Sequence, residues 1–190
     1  MFKQILSIFL FLLSVTAVTF AQSKSNEVVA KQIKESKAEK TITLHYDSAG
    51  NSSKIMFFGE DFGKNQYENL DLKALTFGMA FFYPGKALTA PPQTVNLTFW
   101  VQTKKPKFTD AHNVTLTSGA EIFNLGEARY FSKPNENMEY LNFVIPYETL
   151  KKLGGGTNQS VKIGNSEFKF TSAQLKSVAN YIKISDPNAL

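Results

Sequence analysis

The segment LTFGMAFFYPG, residues 75–85, determines the fold class of this chain. Large apolar side chains recur at every second position from Leu75 to Tyr83, mostly separated by small or polar residues, until a Pro-Gly pair ends the pattern. A period of two is typical of a β-strand with one buried face. The segment therefore predicts a half-buried strand, with Phe82 out of phase with the buried set.

The same alternation recurs on both sides of this strand. It predicts further short strands at 41–46, 54–58, 95–101, 114–117, 121–125, 129–131, 141–145, 161–163 and 168–170. Gly, Pro, Asn and Ser residues, which favour turns, separate these segments. We therefore predict a mainly β protein, an antiparallel β-sandwich or a partly open barrel of about 7–9 strands.

Two helices are predicted after most of the strands. Pro146 stands in the first turn of a short helix that ends at Leu153, just before Gly154. Thr171 and Gln174 form a capping box at the start of a longer C-terminal helix. The apolar stripe predicted for this second helix is Leu175, Val178, Ala179 and Ile182.

The N-terminal residues differ in composition from the rest of the chain. Lys3 precedes a long apolar run, and Ala21 ends a small-residue cleavage site. This pattern predicts a signal peptide over residues 1–21, followed by a polar Lys-rich linker or frayed helix at 22–40 and a single β-rich domain at 41–190. An uncleaved anchor is the alternative, although the run is at the lower limit of the about 20 residues that span a bilayer.

A signal peptide together with the absence of cysteine predicts a secreted or periplasmic bacterial protein that has no disulfide framework. After cleavage we expect no integral membrane span. Nucleic acid is not an expected partner, because the net charge of +5 is dispersed and only Lys104, Lys105 and Lys107 cluster.

Three sequence segments in the C-terminal half form a recognisable series. EIFNLGEARYF at 121–131 follows a Ser-Gly turn, YLNFVIPY at 140–147 leads into a short helix, and VKIGNSEFKF at 161–170 leads into the closing helix. In this series the chain loosely resembles uncharacterised secreted bacterial β-rich proteins. The resemblance implies a β-sandwich-like fold and a compartment outside the cytoplasm, and it implies no activity.

No motif predicts a catalytic residue, a metal site or a cofactor. The chain has neither cysteine nor a Gly-x-Ser-x-Gly nucleophile motif. Its two histidines, His45 and His112, lie outside the usual metal-ligand spacings, and Glu60 and Asp61 lack the regular oxygen spacing of a calcium loop. An envelope-directed hydrolase that uses scattered carboxylates stays open as an alternative.

Outward aromatic side chains are the first candidate binding residues. If Leu97 and Phe99 face the core, Trp100 faces outward, and Phe82 and Tyr140 are out of phase with their strands in the same way. Such a surface suits contact with sugar rings or with a partner protein. The alternative is that the C-terminal helix covers these residues.

The loop at 57–67 is the second candidate, with Phe58, Phe62 and Tyr67 as its contact residues. The alternative is a loop that folds back on the core. We predict a non-enzymatic module that binds an unknown protein or polysaccharide through exposed aromatic residues. A structural assembly subunit, in which the 22–40 arm pairs with a neighbouring chain, is a further alternative.

Overall fold

A computed structural model describes residues 23–110 and 112–189, so the predicted signal peptide at 1–21 lies outside the described residues. The described part contains twelve strands and three α-helices, and all strand pairs are antiparallel. The predicted β-sandwich-like class is confirmed. None of the helices described is both long and apolar enough to cross a membrane.

The strands are β1 (Lys24–Ser25), β2 (Ile42–Asp47), β3 (Ser52–Phe58), β4 (Leu72–Pro84), β5 (Ala87–Leu88), β6 (Thr94–Thr103), β7 (Asn113–Ser118), β8 (Glu121–Glu127), β9 (Arg129–Lys133), β10 (Met138–Pro146), β11 (Ser160–Ile163) and β12 (Ser166–Lys169). The helices are α1 (Asn26–Glu35), α2 (Tyr147–Gly155) and α3 (Ser172–Ser185). The strand count exceeds the prediction of 7–9, partly because β1 and β5 have two residues each, too few for an alternation pattern.

A six-stranded sheet in the order β2-β3-β4-β6-β10-β9 forms one layer of the molecule. A four-stranded sheet, β12-β11-β7-β8, lies against part of it, and β1 pairs with β5. The longest strands, β4 and β6, are central in the large sheet, where Phe77 stands opposite Phe99. The segment at 75–85 therefore forms the middle of the structure.

The core lies between the two sheets and is rich in phenylalanine. Phe77 of the large sheet meets Phe170, next to the small sheet, with ring centroids 5.2 Å apart. Phe62 joins the same cluster, 5.8 Å from Phe77 and 6.0 Å from Phe168. Because such aromatic side chains bury large apolar areas, they supply much of the packing in a chain without disulfides.

The two late helices are confirmed. In the α3 capping box Thr171 Oγ1 accepts from the Gln174 amide at 3.1 Å, and Gln174 Oε1 accepts from the Thr171 amide at 2.7 Å. The predicted apolar stripe of α3 is only partly right, because Ala179 is exposed while Tyr181 is fully buried. Tyr181 packs against Phe57 and Phe81, with centroids 6.0 and 6.1 Å away.

The central part of the segment 22–40, predicted as a linker or a frayed helix, forms α1 and packs against the core. Ser25 caps this helix by accepting from the Val28 amide at 3.4 Å. Val29 and Ile33, four positions apart, are both buried on the same side of the helix. Two buried apolar residues are enough to pack α1 against the core, because the helix covers only the margin of the sheet, next to Ile42 of β2.

Lys24 connects the start of the described chain to its end. Its ammonium group donates to the carbonyl oxygens of Lys183, Asp186 and Ala189 at 3.2, 2.6 and 2.8 Å. The last carbonyls of a helix have no partner within the helix, and a cation is favoured at that end. Lys24 therefore acts as a C-terminal cap for α3, although it is 159 residues from Lys183 in sequence.

Candidate binding face

The large sheet has one covered and one open side. Its inner side faces the small sheet and α3, since Tyr181 contacts Phe57 and Phe81, which both point inward. The opposite side is called the outer face here. The alternative that the C-terminal helix covers Trp100 is therefore wrong, because α3 packs its buried Tyr181 on the inner side of the sheet, opposite Trp100.

Strand register places the outer-face residues in rows across the sheet. An aromatic row runs through Phe131, Tyr140, Trp100 and Thr76. A polar row next to it runs through Arg129, Asn142, Thr98, Gly78 and Phe58. A third row contains Val144, Asn96, Ala80 and Met56. Aromatic, amide and basic side chains therefore lie together on one surface.

Trp100 lies across Gly78 and stacks on Phe58. The two ring systems are 5.9 Å apart with an interplanar angle of 19°. A Cβ atom at Gly78 would overlap the six-membered ring of Trp100, so the absence of a side chain there allows the indole to lie close to the sheet. Phe58 is 44% exposed and Trp100 is partly exposed, so the pair forms a flat apolar platform open to solvent.

Polar groups border the platform. The Thr98 hydroxyl donates to Asn142 Oδ1 at 2.8 Å, and Asn142 Nδ2 donates to the Arg129 carbonyl at 3.3 Å. Two shallow depressions of about 220 and 390 Å³ share Asn96 in their linings, one beside Trp100 and the other beside Arg129. We call the two neighbouring depressions together the trough. Its short side chains leave space beside the larger aromatic rings.

Two cationic side chains and one acidic side chain line the trough. Lys54 lines one depression with its Nζ 5.2 Å from the centroid of the Phe82 ring, and Arg129 lines the other. Neither makes an ion pair with any carboxylate in 23–110 or 112–189. Glu127 also lines the trough, and its carboxylate is 3.9 Å from His112 Nδ1.

The structure brings some of the predicted contact residues together and separates others. Phe58, Trp100 and Tyr140 belong to the outer face, and Phe82, 59% exposed, lies on it farther along β4. The rest of the surface was not predicted from the sequence: Phe131, Val144, Asn96, Asn142 and Arg129. Alternation within β9 could have indicated Phe131, but its position beside Tyr140 depends on strand register.

Phe62 and Tyr67 are wrong as contact residues, because they are 1% and 3% exposed. Phe62 packs into the aromatic core, and the Tyr67 hydroxyl donates to Asp61 Oδ1 at 2.8 Å. Burial, followed by the interaction with Asp61, raises the pKa of Tyr67 to about 12. These residues hold the loop against the core.

Internal hydrogen bonds also fix the 57–67 loop. Asp61 accepts from the Gly63 amide at 2.7 Å and from the Leu75 amide at 3.0 Å. Gln66 binds the backbone of Lys169 in β12, donating to its carbonyl at 3.0 Å and accepting from its amide at 2.6 Å. The loop therefore ties the large sheet to the edge of the small one.

Glu139 is a buried carboxylate whose oxygens accept hydrogen bonds from within the chain. It accepts from the Lys107 and Phe108 amides at 3.0 and 3.1 Å and from the Tyr130 hydroxyl at 2.9 Å. His112 stacks on Tyr130 with centroids 4.5 Å apart. Within the described ranges, no three His, Asp or Glu residues form a group that could hold a metal ion.

These features define a β-sandwich-like protein with one open, aromatic and basic sheet face. Comparison with known proteins found no matching family model, no similar curated protein and no similar solved structure. The fold and the outer face are therefore the basis for a functional proposal.

Proposed function

We propose that this protein is a secreted or periplasmic bacterial binding module whose outer face binds a polysaccharide. The observation that carries the proposal is the Phe58–Trp100 platform, which lies flat across Gly78 and faces solvent. Exposed apolar area of this kind favours a binding partner, since a monomer gains nothing from leaving it in water.

The shape and chemistry of the trough favour a sugar chain. A flat ring such as Trp100 matches the apolar face of a sugar, while amides and hydroxyls such as Asn96 and Thr98 can pair with sugar hydroxyls. The polar row crosses four interstrand spacings of about 4.8 Å, about 19 Å in all. A surface of that length can contact several consecutive sugar residues.

Binding is a better proposal than hydrolysis at this site. Glycosidases generally use two carboxyl groups on either side of the scissile bond. Among the described residues that line the trough, Glu127 alone carries a carboxylate. The alternative of an assembly subunit whose 22–40 arm pairs with a neighbouring chain is less favoured, because residues 24–35 pack within their own chain.

Affinity electrophoresis of the cleaved protein in gels that contain single polysaccharides tests the proposal. We expect at least one polysaccharide to retard the wild-type protein and Trp100→Ala to abolish the retardation. Ile122→Ala is the matched control, since Ile122 is a 72% exposed apolar residue on β8 of the other sheet.

Folding of the variants is checked by thermal unfolding. Because Trp100 is only partly buried, we expect Trp100→Ala to cost about 1 kcal/mol, a change of about 2–4 °C in melting temperature. If no polysaccharide retards the wild-type protein, or if a folded Trp100→Ala variant is retarded equally, the proposal is wrong. A protein partner would then be the next candidate.

A further inference from the structure

We propose that the polysaccharide is acidic, with carboxylate groups that pair with Lys54 and Arg129. This inference rests on the proposed function and specifies its ligand class. The two side chains lie at different ends of the trough, Lys54 on β3 and Arg129 on β9. The strand register places Asn96 between them and the Phe58–Trp100 platform along one side. The arrangement fits a chain that carries charge at more than one sugar.

The two cations are available for a ligand. Neither of them is within ion-pair distance of any described carboxylate, whereas several other lysines of the chain are paired, such as Lys133 with Glu136 at 3.1 Å. An arginine guanidinium can donate two parallel hydrogen bonds to one carboxylate. Carboxylates that bind Lys54 and Arg129 therefore displace water rather than a protein partner.

The apolar and charged elements lie side by side on this face. Lys54 sits over the Phe82 ring, and Arg129 shares the polar row with Phe58. An acidic sugar presents the same combination, an apolar ring face with a carboxylate at its edge. Glu127 is the one acidic group among the described trough residues, and it is directed to within 3.9 Å of His112.

The test compares two polymers with the same backbone and different charge. Polygalacturonate carries a carboxylate on every sugar, and its fully methyl-esterified form carries none. Equilibrium binding to oligomers of each polymer is measured for the cleaved wild-type protein and for the variants Lys54→Gln, Arg129→Gln, the double variant and Trp100→Ala. Binding of the wild-type protein to single-stranded DNA is measured in the same way. Lys31→Gln is the control, because the Lys31 side chain is 75% exposed on α1.

We expect binding to the acidic oligomer at least tenfold tighter than to the ester. The double variant should lose at least tenfold in affinity for the acidic oligomer and little for the ester, and Lys31→Gln should leave both unchanged. Affinity for the acidic oligomer should also fall as salt concentration rises.

Other results separate the two proposals. Equal binding of both oligomers, or tight acidic binding that survives the double substitution, overturns the acidic assignment and leaves the polysaccharide face in place. Acidic binding that Trp100→Ala does not weaken is adsorption by charge alone and overturns both. Tighter binding of single-stranded DNA than of any sugar polymer also overturns both, because phosphate is then the preferred anion.

Discussion

Contact between an indole and a glycine sets the shape of the binding face. Trp100 and Gly78 lie on neighbouring strands, and Gly78 is itself opposite Phe58. With hydrogen in place of a side chain at 78, the two aromatic rings close over the backbone and stack. One residue without a side chain therefore creates the flat surface on which the proposal depends.

Substitution of Gly78 tests this contact. Gly78→Ala places a methyl group in the volume of the Trp100 ring and close to the Phe57 carbonyl. We expect the free energy of unfolding to fall by about 1–3 kcal/mol, and the indole to become more exposed. Urea unfolding and the emission maximum of the single tryptophan measure both effects.

Gly155→Ala is the matched control, because a Cβ atom at Gly155 meets no neighbour and the residue ends a helix. Its stability should stay equal or rise slightly. An unchanged emission maximum and unchanged stability in Gly78→Ala would contradict the close approach.

The sequence predicts which way a side chain faces where residues alternate regularly along a strand. Alternation along β6 and β10 correctly directs Trp100 and Tyr140 outward, because successive strand residues point to opposite faces. Phe62 and Tyr67 lie in a loop, where no such rule exists, and their burial depends on Asp61 and on the distant Phe168. The burial of Phe62 and Tyr67 could therefore not be predicted from the sequence around them.

Helix α1 depends on tertiary contacts, and Lys24 is the clearest of them. The segment is polar, and its sequence alone shows few reasons to fold. Its stability comes from packing of Val29 and Ile33 and from the bonds that Lys24 makes to the end of α3. This explains why the sequence left this segment open between a linker and a frayed helix, while alternation and turn residues predicted most of the strands.

Replacement of Lys24 by methionine keeps most of the apolar stem and removes the ammonium group. We expect Lys24→Met to lower the free energy of unfolding by about 1–3 kcal/mol, since hydrogen bonds from a charged donor are lost. Chemical denaturation of a protein of residues 22–190 measures the change. Lys31→Met is the control and should change stability by less than about 0.5 kcal/mol, because Lys31 makes only an exposed i,i+4 ion pair. Equal stability of the two variants would show that Lys24 does not cap α3.

At the scale of the whole molecule, the buried tyrosines predict sensitivity to alkali. Burial is the main cause of the raised pKa of five tyrosines, with Tyr67 at about 12. The other four are Tyr83, Tyr130, Tyr147 and Tyr181. In the unfolded chain a phenol titrates near pH 10, so ionisation above that pH favours unfolding.

Stability should therefore be independent of these groups below about pH 10 and should fall as pH rises from about 10 to 12. Urea unfolding at a series of alkaline pH values measures the loss. A parallel titration of tyrosinate absorbance, with the chain unfolded in guanidinium as reference, shows whether this loss of stability coincides with ionisation of the tyrosines. Ordinary titration of all seven tyrosines in the folded protein would contradict the burial of the core.

The whole-molecule claim is that the outer face is open and is the contact surface. The first measurement is acrylamide quenching of the single tryptophan, Trp100, in a protein of residues 22–190, with and without saturating polygalacturonate oligomer. We expect a quenchable tryptophan in the free protein and clear protection when the oligomer is bound. A tryptophan already protected in the free protein, or one whose quenching the bound oligomer leaves unchanged, would contradict it.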